Sequence, residues 1–116
     1  MGGVDLQRTA VEMLVLGVLR ERPMYGYEIV RELEMRSNGY FAVQEGLLYP
    51  TLHRLEREGL VRSEWRTAES GRRRRYYLMT EGGLAALRAA TVEWRTYFQN
   101  LFGIIGSEGG AHYVRT

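Results

Sequence analysis

The chain contains no cysteine and no lysine, only two prolines among 116 residues, and no apolar run approaching the roughly 20 residues that a membrane-spanning helix requires. Without cysteine, disulfides and thiolate metal sites are excluded, which fits a reducing compartment and makes the cytoplasm the expected location. No transmembrane or signal segment is expected. The two histidines, His53 and His112, are far apart in the chain and have no acidic cluster beside them, so no metal site is expected. Glu45, Glu56 and Glu58 read as helix-surface or capping acids without the paired geometry of hydrolytic chemistry. The run "SGRRRR" lacks the Lys-Ser/Thr and helix start of a phosphate loop. No catalytic set and no cofactor are therefore expected.

What is present is arginine. All 16 positive residues are arginine, and although the net charge is only +2, six of the arginines lie between Arg62 and Arg75, where the only acids are Glu64 and Glu69. The positive field is local to that segment. A hydrophobic content of 45% against 26% charged residues suits one soluble domain with a modest core and one additional element.

Asp5 is a candidate N-cap for a helix running to about Arg20. Leu14, Val15, Val18 and Leu19 form one stripe on it, and Leu6, Ala10, Met13 and Gly17 form another, so the helix needs two burial partners. Pro23 drives Arg22 out of helical angles. A second helix is predicted over about Tyr25 to Arg36, burying Ile29 and Leu33, with Gly39 able to take the left-handed angles that close it. The stretch "EGLLYPTLHRLEREGLV" carries the third helix, from about Gly46 or Leu47 to the stop at Gly59. Its inner side holds Leu48, Leu52 and Leu55. Its outer side collects Gly46, Pro50, His53 and Arg57, flanked by Tyr49 and Arg54.

"LVRSEWR" and "RRRYYLMT" have strand character around the turn "TAESG", which predicts a β-hairpin with a basic, flexible tip. In the second strand Arg72 and Arg74 share one face and Arg73 and Arg75 the other, and of Tyr76 and Tyr77 one is expected on the core. Thr80 caps a last helix whose apolar positions, Leu84, Leu87, Thr91, Trp94, Phe98, Leu101 and Ile105, alternate in steps of three and four. That is a heptad seam, suited to pairing with a second copy while leaning on the first helix. Residues 106–116 have no periodicity and are expected to be disordered.

Three short helices followed by a hairpin is the order of a winged helix-turn-helix, in which the third helix enters a DNA major groove and the wing touches flanking backbone. The outer face of the third helix then has a use. Gly46 permits close approach of the backbone, the Tyr49 hydroxyl can reach a phosphate, and His53, Arg54 and Arg57 are donors suited to base edges or phosphates. Tyr25 and the wing residues Arg72, Arg73 and Arg74 complete the expected DNA surface. Arg54 has a second reading, an ion pair with Glu58 one turn on.

Three blocks, "MYGYEI", "EGLLYPTLHRLEREGLV" and "GRRRRYYLMTEGG", together resemble the PadR family of transcriptional regulators over roughly residues 12–83, in the family's order and spacing. Tyr49 and Pro50 match its LYP turn, Arg54 its RLE arginine, and Arg72 and Arg74 its wing arginines after Gly71. Met24, Arg73 and Met79 depart from the histidine, proline and leucine usual at those positions. The single helix after the wing is similar to that of short-tailed members, which dimerise through it. The resemblance implies a homodimeric repressor that releases its operator when a small planar aromatic molecule binds. For Trp94 two readings stand: it fills the dimer seam, or it faces its symmetry mate and stacks such an effector, with Met13 and Phe98 as walls.

The expected architecture is thus mainly α with a small β-hairpin: a winged helix-turn-helix over residues 1–80, a dimerisation helix over 81–105, and the tail. The interface is expected from Leu6, Ala10, Met13, Leu84, Leu87, Thr91, Trp94, Phe98, Leu101 and Ile105. The expected function is regulation through a pseudo-palindromic operator, with half-sites roughly 34 Å apart. The rivals are a winged helix used only for protein contacts and a ligand-binding protein without a DNA role.

Overall fold

The computed structural model describes residues 6–106, with side chains from Arg8 onward. Its elements are α1 (Leu6–Leu19), β1 (Met24–Tyr25), α2 (Gly26–Arg36), α3 (Glu45–Arg57), β2 (Val61–Thr67), β3 (Arg73–Met79) and α4 (Glu81–Ile105). The three strands form one antiparallel sheet in the order β1-β3-β2. This is a winged helix followed by a long helix. Asp5, the side chain of Leu6 and the tail from residue 107 lie outside the described residues.

The sheet has one strand more than the hairpin expected. Pro23 holds the preceding residue extended, and Met24 and Tyr25 then pair with Tyr77 and Tyr76 of β3. Met24 is fully buried, so α2 begins at Gly26 instead of Tyr25. Two residues are too few to leave a periodic trace in the sequence.

Helix ends follow local chemistry. Gly59, at φ 77°, closes α3 in a Schellman arrangement, with Gly59 N–H donating to the Glu56 carbonyl and Leu60 N–H to that of Leu55. At the end of α2 the left-handed closing position falls to Asn38 (φ 53°), with Gly39 following at φ 85°. α3 starts at Glu45, a residue before the expected start, which puts Pro50 in the second turn. A proline there leaves the Gly46 carbonyl without its usual amide partner.

The core gathers Val11, Val15, Val18 and Leu19 of α1 with Ile29 and Leu33 of α2, Leu48, Leu52 and Leu55 of α3, and Val61 and Tyr77 of the sheet. The second stripe of α1 is only half-buried at Ala10, Met13 and Gly17.

α4 is tied to the rest at its first turn. The Thr80 hydroxyl accepts from Gly83 N–H at 3.0 Å and donates to the Gly59 carbonyl at 2.7 Å. Gly83 sits so close to the chain that a Cβ there would lie 2.1 Å from the Leu60 carbonyl oxygen, whereas at Gly82 the nearest atom would be 3.4 Å away. Gly83→Ala must therefore lift α4 from the sheet, at a cost of about 2–3 kcal/mol. Thermal unfolding should show Tm lowered by roughly 10 °C or more. Gly82→Ala, a helix position with room for the methyl, should leave Tm unchanged or raise it slightly.

Candidate nucleic-acid interface

α3 exposes Gly46, Tyr49, Pro50, His53 and Arg57 while burying Leu48, Thr51, Leu52 and Leu55. The buried Thr51 hydroxyl is satisfied by the Leu47 carbonyl at 2.8 Å. A Cβ on Gly46 would meet nothing within 4 Å, so the start of the helix presents bare backbone to whatever approaches. Gly26 is different: a Cβ there would lie 2.3 Å from the Tyr49 hydroxyl oxygen. Its missing side chain is the seat of the Tyr49 ring, which ties the α3 face to the start of α2.

Between α3 and the wing lies a cleft of about 370 Å³, lined by Tyr25, Gly26, Tyr49, His53, Trp65, Arg73, Arg74, Arg75 and Tyr77. Five of the expected DNA residues, Tyr25, Tyr49, His53, Arg73 and Arg74, thus line one concavity. Tyr25 N–H donates to the Glu28 carboxylate at 3.3 Å, and its ring stands edge-on to Tyr76 at 5.4 Å. The Arg74 guanidinium lies 4.4 Å from the centre of the Tyr25 ring, and its buried Nε has no hydrogen-bond partner among the described residues. Burial pushes the Tyr77 phenol up, keeping it neutral.

The wing's positive charge is unevenly neutralised. Arg66 and Arg62 both hydrogen-bond Glu64, and in that order they hold its carboxyl below the usual carboxylate range. Arg75 donates to the Ser63 hydroxyl at 3.0 Å and lies 3.7 Å from the Glu56 carboxylate. Arg57, Arg72, Arg73 and Arg74 have no acidic partner among the described residues. These four place unpaired charge on the last turn of α3, the wing tip and the first half of β3. Ala68 N–H donates to the Arg72 carbonyl and Gly71, at φ 90°, donates to Ala68, a turn that leaves the Arg72 side chain exposed.

Arg54 takes an acidic partner other than Glu58. It leaves the exposed face and turns inward, donating from Nε to the Glu12 carboxylate of α1 at 2.7 Å, with 15% of its side chain exposed. It pairs neither with Glu58 nor with the open surface, and its buried Nη2 has no hydrogen-bond partner among the described residues. The pair joins α1 to α3. Because both groups are largely removed from water, deleting only the acid strands a cation. Glu12→Ala should cost about 2 kcal/mol in urea unfolding, and adding Arg54→Met should recover part of that loss instead of doubling it.

Met13 of α1 and Trp94 and Phe98 of α4 line a second concavity, an open and almost wholly apolar groove of about 500 Å³ that also includes Thr91, Arg95, Gln99 and Phe102. Trp94, Phe98 and Phe102 form a ladder of rings with centres 5.4 and 6.0 Å apart. Along the seam, Ala10, Met13, Leu84, Thr91, Trp94, Phe98 and Leu101 are half-buried and Ile105 is exposed. Leu87, also expected in the seam, is 5% exposed and packs within the core of the single chain.

Two further residues that line this cleft are not marked as contacts by the sequence. Trp65 and Arg75 are cross-strand neighbours, and only the register of the hairpin places them beside His53. The strand alternation put Trp65 on the face of Val61 and Ser63, but nothing in the sequence located the point where that face leaves the core.

Residues 15–89 match the transcriptional regulator PadR-like family. The chain is 43% identical over 83 residues to a transcriptional regulator of Mycobacterium tuberculosis, covering 72% of this chain and 74% of that protein. Among solved structures it is similar to a PadR family transcriptional regulator from Eggerthella lenta (35% identity, TM-score 0.76, covering 89% of this chain and 88% of the other). A transcriptional regulator from Clostridium thermocellum is similar as well (27% identity, TM-score 0.79, 88% and 99%). The fold, the three sequence blocks and these likenesses agree: the chain belongs to the PadR-like family of transcriptional regulators.

Proposed function

We propose that this regulator acts in the cytoplasm as a homodimeric repressor on a pseudo-palindromic operator. Residues 1–80 serve as the DNA-binding unit, the helix over 81–105 pairs two copies, and a small planar aromatic effector weakens DNA binding. The observation that carries the reading is the cleft in which Tyr25, Tyr49, His53, Arg73 and Arg74 converge beside arginines with no acidic partner among the described residues. The α3 face with Gly46, Pro50 and His53 reads base edges. Tyr25, Tyr49, Arg57 and Arg72 to Arg74 hold phosphates. Arg54, bonded to Glu12, positions the reading helix from behind and leaves the reading to its neighbours.

The groove lined by Met13, Trp94 and Phe98 supports an aromatic effector, since ring faces and edges of this size stack flat molecules. A ligand there would sit between α1 and α4 and alter the angle between the two reading heads. Salt titration of DNA binding is the deciding experiment. A protein making six to ten phosphate contacts loses about 10³ to 10⁵ in affinity between 50 and 200 mM salt. A flat salt response, or no binding to any duplex, would sink the reading in favour of a protein-contact module.

A further inference from the structure

Trp65 is 57% exposed, an unusual position for the largest side chain on a strand whose other end is buried. On the face of the wing turned toward α3, Val61 is buried and Ser63 donates to the Glu56 carboxylate of α3 at 2.7 Å. Trp65 is the next residue on that face. It is where the wing passes beyond the cover of the helix. Its indole is nonetheless not loose: the Arg75 guanidinium, opposite it in register, lies 6.0 Å from the ring centre. Arg75 is itself fixed by Ser63 at 3.0 Å and Glu56 at 3.7 Å.

This relay runs from α3 through Arg75 to the indole. Arg75 is therefore spent as a positioning residue, its charge already matched by Glu56, while Arg73 has no acidic partner among the described residues and lines the same cleft. An apolar ring held upright beside free guanidinium groups suits a surface of alternating sugar and phosphate. We infer that Trp65 is a DNA contact in its own right, packing its indole face on a deoxyribose of the strand whose phosphates Arg73 holds, with Arg75 setting the ring's orientation. The inference rests on the DNA-binding reading above.

The two contact types have different signatures. Removing an arginine from a phosphate lowers the salt dependence of binding, while removing an apolar ring weakens binding at every salt concentration without changing that slope. The probe is a labelled 30-base-pair duplex of mixed sequence at 50 mM salt, since a sugar contact does not depend on an operator. Trp65→Ala should bind about tenfold more weakly, the equivalent of burying roughly 55 Å² of apolar ring surface, a part of what the indole exposes, with an unchanged slope against salt. Because the chain has two tryptophans, Trp94→Phe leaves Trp65 as the sole emitter, and its fluorescence should shift as the duplex saturates. Arg75→Lys, tested in that background, should keep the charge but reduce the shift, because a point charge does not stack on the ring as a guanidinium does.

If Trp65→Ala binds as tightly as the natural chain and the sole-tryptophan emission is unmoved at saturation, the inference is overturned and the DNA-binding reading stands. If the natural chain fails to bind the duplex at all, both fall together.

Discussion

Replacing Arg72 and Arg73 together with alanine is expected to weaken binding to every duplex by roughly a hundredfold at low salt, from the loss of two charge-assisted phosphate contacts. The slope of log affinity against log salt should fall by about 1.8, or about 0.9 for each phosphate released. Both side chains are exposed and neither has an acidic partner among the described residues, so folding should be untouched and thermal unfolding should confirm that. Arg74 is left out deliberately. Its guanidinium packs on Tyr25, and its removal would mix a DNA effect with loosening of the β1–α2 junction. Competition between duplexes completes the test: the arginine pair should lose affinity uniformly across sequences, whereas His53→Ala should change the order of preference. If the pair keeps the natural slope, the wing does not hold phosphates.

Much of this surface was legible because it rests on local rules. The outer face of α3 follows from helical periodicity around Leu48, Leu52 and Leu55, and the Thr80 cap from the preference of a hydroxyl for the first unpaired amides. Met13, Trp94 and Phe98 line one groove, although they lie on helices about 80 residues apart in the chain. Arg54 was not legible. A helical wheel places it at the edge of the exposed face, and only the packing of α1 across α3 brings Glu12 close enough to claim it. β1 escaped for a related reason, since two residues become a strand only when β3 is already there to pair with them. Trp65 needed the hairpin register. Each miss is a contact between distant segments, and periodicity within one element cannot encode it.

The Glu12–Arg54 pair also ties the two sites together. Glu12 precedes Met13 on α1, so the helix that walls the apolar groove also holds α3. A molecule wedged between Met13 and Trp94 cannot displace α1 without loading that ion pair.

Leu101→Glu should have the largest effect on operator binding while leaving each reading head folded. Leu101 is half-buried and outside the core of the single chain, and beyond it Ile104 and Ile105 are 87% and 62% exposed. That is more apolar surface than a solitary helix end normally leaves in water. In a two-fold seam the substitution places a carboxylate from each copy in a desolvated apolar contact, and the pair should separate. Light scattering should report a monomer, and circular dichroism should retain its helical signal. Affinity for a two-half-site operator should fall by about a hundredfold or more, because the second half-site no longer benefits from the tether to the first. Affinity for a single half-site should barely change. Leu87→Glu makes the contrast: that side chain is in the core of one chain, so a carboxylate there should unfold the protein before any question of pairing arises. If Leu101→Glu remains a dimer, or binds the full operator as a monomer with natural affinity, then α4 is not what spaces the two heads.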